Sequence, residues 1–108
     1  MIENTVKKLY EFLLNQEYQH VELLTAGVRL NAKEIEESIK AYGRKLAPYP
    51  EKVEIDAIEI FGTEEKAWSV VAPVYTIEEG FSDLSIELTL IEKSEDYIKV
   101  ELDNIHVR

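Results

Sequence analysis

The strongest constraint on the fold is the alternation of apolar and polar residues between Thr76 and Val107. Its centre reads SDLSIELTL, in which every second residue from Leu84 to Leu90 is apolar. Successive side chains of a β-strand point to opposite faces, so this pattern predicts a strand with one covered face and one open face. Turn-forming residues flank the run on both sides, which predicts three antiparallel strands joined by two tight turns.

A glycine sets the expected register of the first hairpin. If Gly80 is the left-handed third residue of a loop formed by residues 78–80, Ile77 opposes Phe81. Every inward residue then meets an apolar partner across the strand pair. The register predicts the pairs Trp68 with Leu90, Val70 with Leu88, Ala72 with Ile86 and, on the opposite face, Tyr75 with Asp83.

A second turn, around Glu92 to Asp96, predicts the last strand. Pairing Leu90 with Ile98 again matches apolar residues with each other on the inner face. The alternation slips after Asp103, which predicts a β-bulge or the strand's end there. On the other face this register predicts the pairs Glu87 with Glu101 and Ser85 with Asp103.

The chain before the prolines has the helical period. Apolar residues recur at helical spacing from Ile2 to about Gln16 and again from Ile35 to Leu46, and a shorter helix is predicted from Tyr18 to Leu24. The run NAKE at the start of the third segment predicts a capping box. This helix is expected to continue through Gly43 and to stop at the prolines that follow Leu46.

One further strand is predicted between the helices and the first hairpin, and the first strand of that hairpin is predicted to begin at Ala67. Val53 to Ile60 alternates with a slip at residues 57–58, and Ala67 to Ile77 contains Pro73, which must face a gap or a bulge because it lacks an N–H donor. Residues 1–108 are therefore predicted to form a single α+β domain. Two or three N-terminal helices pack in one layer on a four-stranded antiparallel meander.

Composition excludes several classes of function. Acidic residues outnumber basic ones 22 to 12, giving a net charge of −10, which opposes nucleic-acid binding. The chain has no cysteine, so neither disulfides nor thiolate chemistry can occur. No apolar run is long enough to cross a bilayer, and nothing at the N-terminus resembles a signal peptide. We expect a cytoplasmic protein that contacts no membrane.

The motifs of common enzymes are missing. There is no G-x-S-x-G or S-x-x-K nucleophile motif, and the glycines are scattered singly rather than grouped in a phosphate-binding loop. We expect no cofactor and no metal, and the sequence favours a non-enzymatic role without deciding it. His106 follows Glu101 and Asp103 closely, but proximity along the chain alone does not make a catalytic or metal site.

The predicted outer face, the side of the sheet turned away from the helices, is the candidate site. The predicted binding residues are Tyr75, Asp83, Glu87, Glu101 and Asp103. The leading hypothesis is that this acidic face binds a basic protein partner, as small acidic immunity proteins do. Four alternatives stay open: a face that is merely solvated, a divalent metal site or carboxylate pair for acid–base chemistry on this face, a homodimer formed through outward apolar residues, and a small-molecule binder or minor enzyme with a pocket between helices and sheet.

Three stretches carry a family resemblance. They are GVRLNAKEIEESIKAYG (Gly27 to Gly43), SDLSIELTL (Ser82 to Leu90) and VELDNIHV (Val100 to Val107). Together they resemble a family of small bacterial proteins described only as a domain of unknown function. The resemblance implies a compact bacterial α+β domain similar to the cystatin-like or nuclear-transport-factor-like cone of helices on a curved sheet. It implies no activity, cofactor or catalytic residue.

Overall fold

Three helices precede four strands in a computed structural model, which describes residues 2–107. The helices are α1 (Ile2–Leu14), α2 (Tyr18–Leu24) and α3 (Ala32–Tyr42), and the strands are β1 (Asp56–Ile60), β2 (Ala67–Thr76), β3 (Gly80–Glu92) and β4 (Ile98–Val107). The strands form one antiparallel sheet in the order β1-β2-β3-β4. The predicted α+β arrangement, with helices before a four-stranded meander, is confirmed.

The core lies between the helices and the inner face of the sheet. The helical stripes and the alternate strand residues that the sequence marks as apolar are the residues that become buried. Burying one such aliphatic side chain contributes roughly 1.5–3 kcal/mol relative to leaving it exposed. The largest fully buried aliphatic side chains are Val6, Leu9, Leu13, Val21, Ile35, Val70, Val74, Ile86, Leu88, Leu90 and Leu102.

Helix α3 begins and ends on identifiable caps. The Glu34 N–H donates to Asn31 Oδ1 at 2.8 Å, and the Asn31 N–H donates to Glu34 Oε1 at 3.0 Å, so the predicted capping box is present. The prediction that the helix continues past Gly43 is wrong. The helix ends at Tyr42, and Gly43 takes a left-handed φ of 76°, a conformation that glycine adopts without a Cβ clash.

The segment after Gly43 extends the sheet instead of the helix. Leu46 pairs antiparallel with Thr76, and the Ala47 N–H donates to the Tyr75 carbonyl at 2.8 Å. The next rung of this ladder is supplied by a side chain: the Tyr10 hydroxyl accepts from the Tyr75 N–H at 3.2 Å and donates to the Ala47 carbonyl at 2.6 Å. Helix α1 is thereby tied to the end of β2.

Strand β1 is shorter than predicted. It starts at Asp56 rather than Val53, and its register with β2 is continuous, so the bulge expected at residues 57–58 is absent. The prediction for Pro73 is confirmed. β1 reaches only as far as Val71 on β2, and the register with β3 shifts between Pro73 and Tyr75, so no ladder donor is needed at the proline.

The predicted register of the first hairpin is confirmed in the middle of its strands and is wrong at its turn. Inner-face residues pair as predicted, for example Val70 with Leu88. Near the turn, Thr76 pairs with Gly80 and Tyr75 with Phe81, so the loop is residues 77–79 and Tyr75 does not oppose Asp83. The cause is the irregularity after Pro73, where β3 advances further than β2 before pairing resumes.

The second hairpin is shifted by two residues from the predicted register. Leu90 pairs with Val100 and Glu92 with Ile98, because the turn is centred one residue later than predicted, with the Lys93 N–H donating to the Tyr97 carbonyl at 3.0 Å. A shift of two keeps every side chain on its predicted face. The bulge expected near Asp103 is confirmed, since the register changes between Leu88 and Glu87.

Candidate functional site

The outer face of the sheet is set by the same alternation that fills the core. On β3, Leu88 and Leu90 are buried under the helices, so Glu87 and Thr89 point to the opposite side and are half-buried. On β4 the residues that pair with this side are Glu101, Asn104 and His106. Polar side chains of two neighbouring strands therefore share one open surface.

The carboxylates on this surface do not lie opposite each other across the β3–β4 ladder as the sequence predicted. Glu87 lies opposite Asn104, and Glu101 lies opposite Thr89, so the predicted pair of like charges across the ladder is wrong. The predicted pair of Ser85 with Asp103 is also wrong. Both errors come from the two-residue shift of β4 combined with the bulge. The observed register separates Glu87 from Glu101 and avoids the cost of like charges placed directly opposite, a few tenths to about 1 kcal/mol.

Glu87 and Glu101 each have a neighbour within the sheet that can carry a positive charge. One Glu87 carboxylate oxygen contacts His106 Nε2, and Glu101 Oε2 lies 3.5 Å from Lys99 Nζ. The side chains of Glu87 and Glu101 are 31% and 19% exposed, so water and a partner can still reach them. The contacts hold the carboxylates in place without removing them from the surface.

Asp103 occupies the bulge and links three parts of the chain. Its Oδ2 accepts from the Thr89 hydroxyl at 2.6 Å, and its Oδ1 lies 3.7 Å from Arg29 Nε in the loop between α2 and α3. The Arg29 side chain is 64% exposed, so this ion pair stabilises the fold weakly. Nothing in the local sequence pattern predicts the contact, because it depends on how the α2–α3 loop sits against the last strand.

The other two predicted residues lie toward the β2–β3 turn. Asp83 is exposed in the irregular part of β3, and the half-buried Tyr75 ring packs edge-on against Phe81 with centroids 5.0 Å apart. Phe81 is 48% exposed and Ile77 is 63% exposed. At about 3.3 Å per residue, Phe81 and Glu87 are roughly 20 Å apart along β3. The five predicted residues therefore form an acidic group and an aromatic end rather than one compact cluster.

Within the described residues, the outer face has neither a metal-binding group of side chains nor a serine–histidine pair joined by a hydrogen bond. Within residues 2–107 there is no group of three or more acidic or histidine side chains placed to hold a metal ion. Ser85 is buried and pairs with His106 across the ladder, yet in this part of the chain no hydrogen bond joins the serine hydroxyl to the imidazole. A nucleophile needs such a contact with its base. His106 instead bonds Glu87, a contact that follows from the bulge and was not predicted.

The space between helices and sheet is filled by the core. Val70 and Ile86 are fully buried and Leu88 is 1% exposed, and the aliphatic residues of α1 and α3 belong to the same cluster. Surface clefts occur elsewhere. One of about 590 Å³ lies by the starts of α2 and α3, and one of about 490 Å³ lies beside Tyr49 and its flanking prolines. The geometry therefore favours the outer face over an internal pocket as the candidate site.

Comparison with known proteins identifies the family. No helix built from residues 2–107 has the length and apolar character needed to span a membrane. The chain matches no curated protein and no solved structure. A family model described as Domain of unknown function (DUF7668) matches residues 10–108, a span that includes α2, α3 and all four strands. The chain therefore belongs to this family of domains of unknown function, as its sequence resemblance predicted.

Proposed function

We propose that this domain is a non-enzymatic interaction protein of the bacterial cytoplasm that binds a basic protein partner through the outer face of its sheet. One observation carries the proposal: a sheet face left uncovered by the helices bears Glu87, Glu101 and Asp103 on two adjacent strands. The chain as a whole has a net charge of −10. Immunity proteins that neutralise basic toxins provide the functional analogy.

The cations already near these carboxylates are weak competitors for a partner. Lys99 and Arg29 approach Glu101 and Asp103 at 3.5 and 3.7 Å, and exposed pairs of this kind contribute about 0–1 kcal/mol each. Arginine or lysine side chains of a partner would meet the same carboxylates in an interface that excludes water, where the attraction is stronger. Complementary charge would also raise the rate of association.

The aromatic end of the surface supplies an anchor that charge alone cannot. Tyr75 and Phe81 form an edge-on pair, and Ile77 beside them is exposed. Aromatic side chains are enriched at the centres of protein interfaces, and an arginine can stack on their rings. We infer that the aromatic end contributes buried apolar area, while the carboxylates orient the partner.

The proposal is tested by capturing partners with the full chain and then measuring association of the purified partner across a range of salt concentrations. The association rate should fall steeply as ionic strength rises, because screening shortens the range of the attraction. The double variant Glu87→Lys with Glu101→Lys should slow association by about tenfold or more. A matched variant with the same charge change on the helices, Glu11→Lys with Glu37→Lys, should slow it much less.

Two outcomes would contradict the proposal. One is a captured partner that is not basic. The other is a basic partner whose association rate is the same for the Glu87/Glu101 double variant as for the helix variant, since that result would assign the effect to net charge rather than to the outer face.

A further inference from the structure

Strand β1 presents a free edge of the sheet. It pairs with β2 on one side, and in the part of the chain that the structure describes no other strand lies beyond it. Alternate residues of an antiparallel strand direct both N–H and C=O away from their partner. Among residues 2–107, no backbone group of Asp56–Ile60 bonds to any segment other than β2. Such an edge is a template for another extended segment, which would add to it as a further strand.

The side chains around β1 leave room for such a strand. Ile58, on the outer face, is 71% exposed, and Phe61, directly after the strand, is 84% exposed. On the inner side, Ala57 and Glu59 are also exposed, so the helical layer does not cover this edge. An added strand could therefore place side chains on both faces, with apolar residues covering Ile58 and Phe61.

Charge selects what can pair there. The sixteen-residue run 51–66, EKVEIDAIEIFGTEEK, contains six acidic residues and two lysines. Asp56 and Glu59 lie within the strand itself, one on each face. A second copy of β1 would bring these carboxylates against their own kind, which disfavours self-pairing. A segment rich in lysine or arginine would meet opposite charges instead.

The other edge of the sheet is less free. Arg29 in the α2–α3 loop reaches Asp103 on β4, and the end of α3 lies close to this strand, where Tyr42 and Ile105 line the same cleft. The two edges therefore differ in cover.

We propose that β1 is the docking edge for an extended, basic segment of a partner protein, which adds to the sheet as a fifth strand. Main-chain hydrogen bonds supply the attachment, while Asp56 and Glu59 select basic side chains. This inference rests on the proposed function in requiring a basic partner, but it assigns a second surface, next to the outer face and separate from its carboxylates.

The test uses the full chain and a synthetic peptide of about ten residues that alternates lysine and valine, a length suited to one strand. Trp68 is the only tryptophan and pairs with Glu59 across the β1–β2 ladder, so its fluorescence reports on this edge. Binding should shift the Trp68 emission and slow hydrogen exchange of alternate β1 amides by about tenfold, with no change on β4. A peptide of the same charge with N-methylated backbone amides should produce neither effect.

Variants separate edge docking from general charge attraction. Asp56→Lys with Glu59→Lys should weaken peptide binding by about tenfold or more, whereas Glu11→Lys with Glu37→Lys, which changes net charge equally, should weaken it much less. The proposal is overturned if both variants lose the same affinity for the peptide, or if the N-methylated peptide binds as tightly as the unmodified one. It is also overturned if the peptide slows hydrogen exchange of β4 amides. Protection of β1 amides that rises with protein concentration alone would overturn it too, because that result would mean pairing between copies.

The outer-face proposal and the edge-docking proposal can fail independently of each other. If the native partner still depends on Glu87 and Glu101 while β1 remains unprotected by peptide or partner, edge docking alone is wrong. If β1 becomes protected and the Glu87/Glu101 variant binds the partner normally, the outer-face proposal alone is wrong.

Discussion

Replacing Tyr10 with phenylalanine removes one hydroxyl that completes the sheet at the end of β2. That hydroxyl accepts from the Tyr75 N–H at 3.2 Å and donates to the Ala47 carbonyl at 2.6 Å, in the position of a missing ladder bond. Phenylalanine keeps the ring, which stacks on Tyr49 with centroids 3.7 Å apart. The substitution therefore isolates the hydrogen bonds from the packing.

The expected loss of stability follows from the burial of these groups. Tyr10 is 2% exposed, so water cannot readily replace its hydroxyl. Both hydrogen bonds are part-buried, so each backbone group left without its partner costs about 1 kcal/mol, at the low end of the range for buried groups, and the two together cost about 2 kcal/mol. For a domain of this size 1 kcal/mol lowers Tm by roughly 4–8 °C, which gives a fall of about 8–16 °C. Such a change is a substantial fraction of the 5–15 kcal/mol typical of folded domains.

Urea unfolding followed by Trp68 fluorescence measures the loss directly. The matched control is Tyr49→Phe, which removes a hydroxyl that donates only to the Pro73 carbonyl. We expect this control to cost about 1 kcal/mol, as for a single hydrogen bond. Hydrogen exchange at the Tyr75 amide should accelerate in Tyr10→Phe and not in Tyr49→Phe.

A loss of less than about 1 kcal/mol in Tyr10→Phe, or a loss no larger than that of Tyr49→Phe, would refute this role of the hydroxyl if the Tyr75 amide also stays protected. That result would mean that the Tyr75 N–H has another partner and that the hydroxyl is not part of the ladder.

Alkaline pH should unfold the protein partly through the same tyrosine. Burial raises the pKa of Tyr10 to about 12, although the hydrogen bond from Tyr75 opposes the shift. Because an unfolded tyrosine has a pKa of about 10, its stabilising contribution is complete below pH 10 and is lost as the pH rises to 12 and above, by up to roughly 3 kcal/mol. Unfolding free energies in urea should fall over this range less in Tyr10→Phe than in the wild type, and parallel curves would contradict the assignment. Separately, Asn31→Ala should cost about 1 kcal/mol by removing the cap of α3, whereas Asn31→Asp should retain most of the stability. Equal thermal midpoints for Asn31→Ala and the wild type would show that the cap does not stabilise the protein.

Much of the fold was predictable because periodicity reports local backbone geometry. The alternation from Leu84 to Leu90 identified β3 and its buried face, and the helical spacing identified α1 and α3. The end of α3 was missed for a physical reason. Apolar residues continue the helical period to Leu46, and only the left-handed conformation of Gly43 turns the chain out of the helix and into the sheet.

The sequence predicted which residues lie on the candidate site, but it did not predict which of them pair across the β3–β4 ladder. A shift of two residues between β3 and β4 leaves apolar side chains facing apolar side chains, so the apolar pattern does not favour one register over the other. The turn held by Lys93 and Tyr97 decides it. Glu87 consequently meets Asn104 and His106 rather than Glu101. Only the relative position of the loop and the last strand brings Arg29 to Asp103.

The sequence alone determined the α+β class, the helices that precede the meander, and the face to which most strand residues point. These properties depend on residues a few positions apart, whose spacing is set by the helical and extended backbone. The tertiary structure decided which carboxylates are neighbours, that β1 keeps a free edge, and that Tyr10 completes the ladder beside Tyr75. Those features depend on contacts between distant segments, which are chosen by packing the whole core rather than by any local pattern.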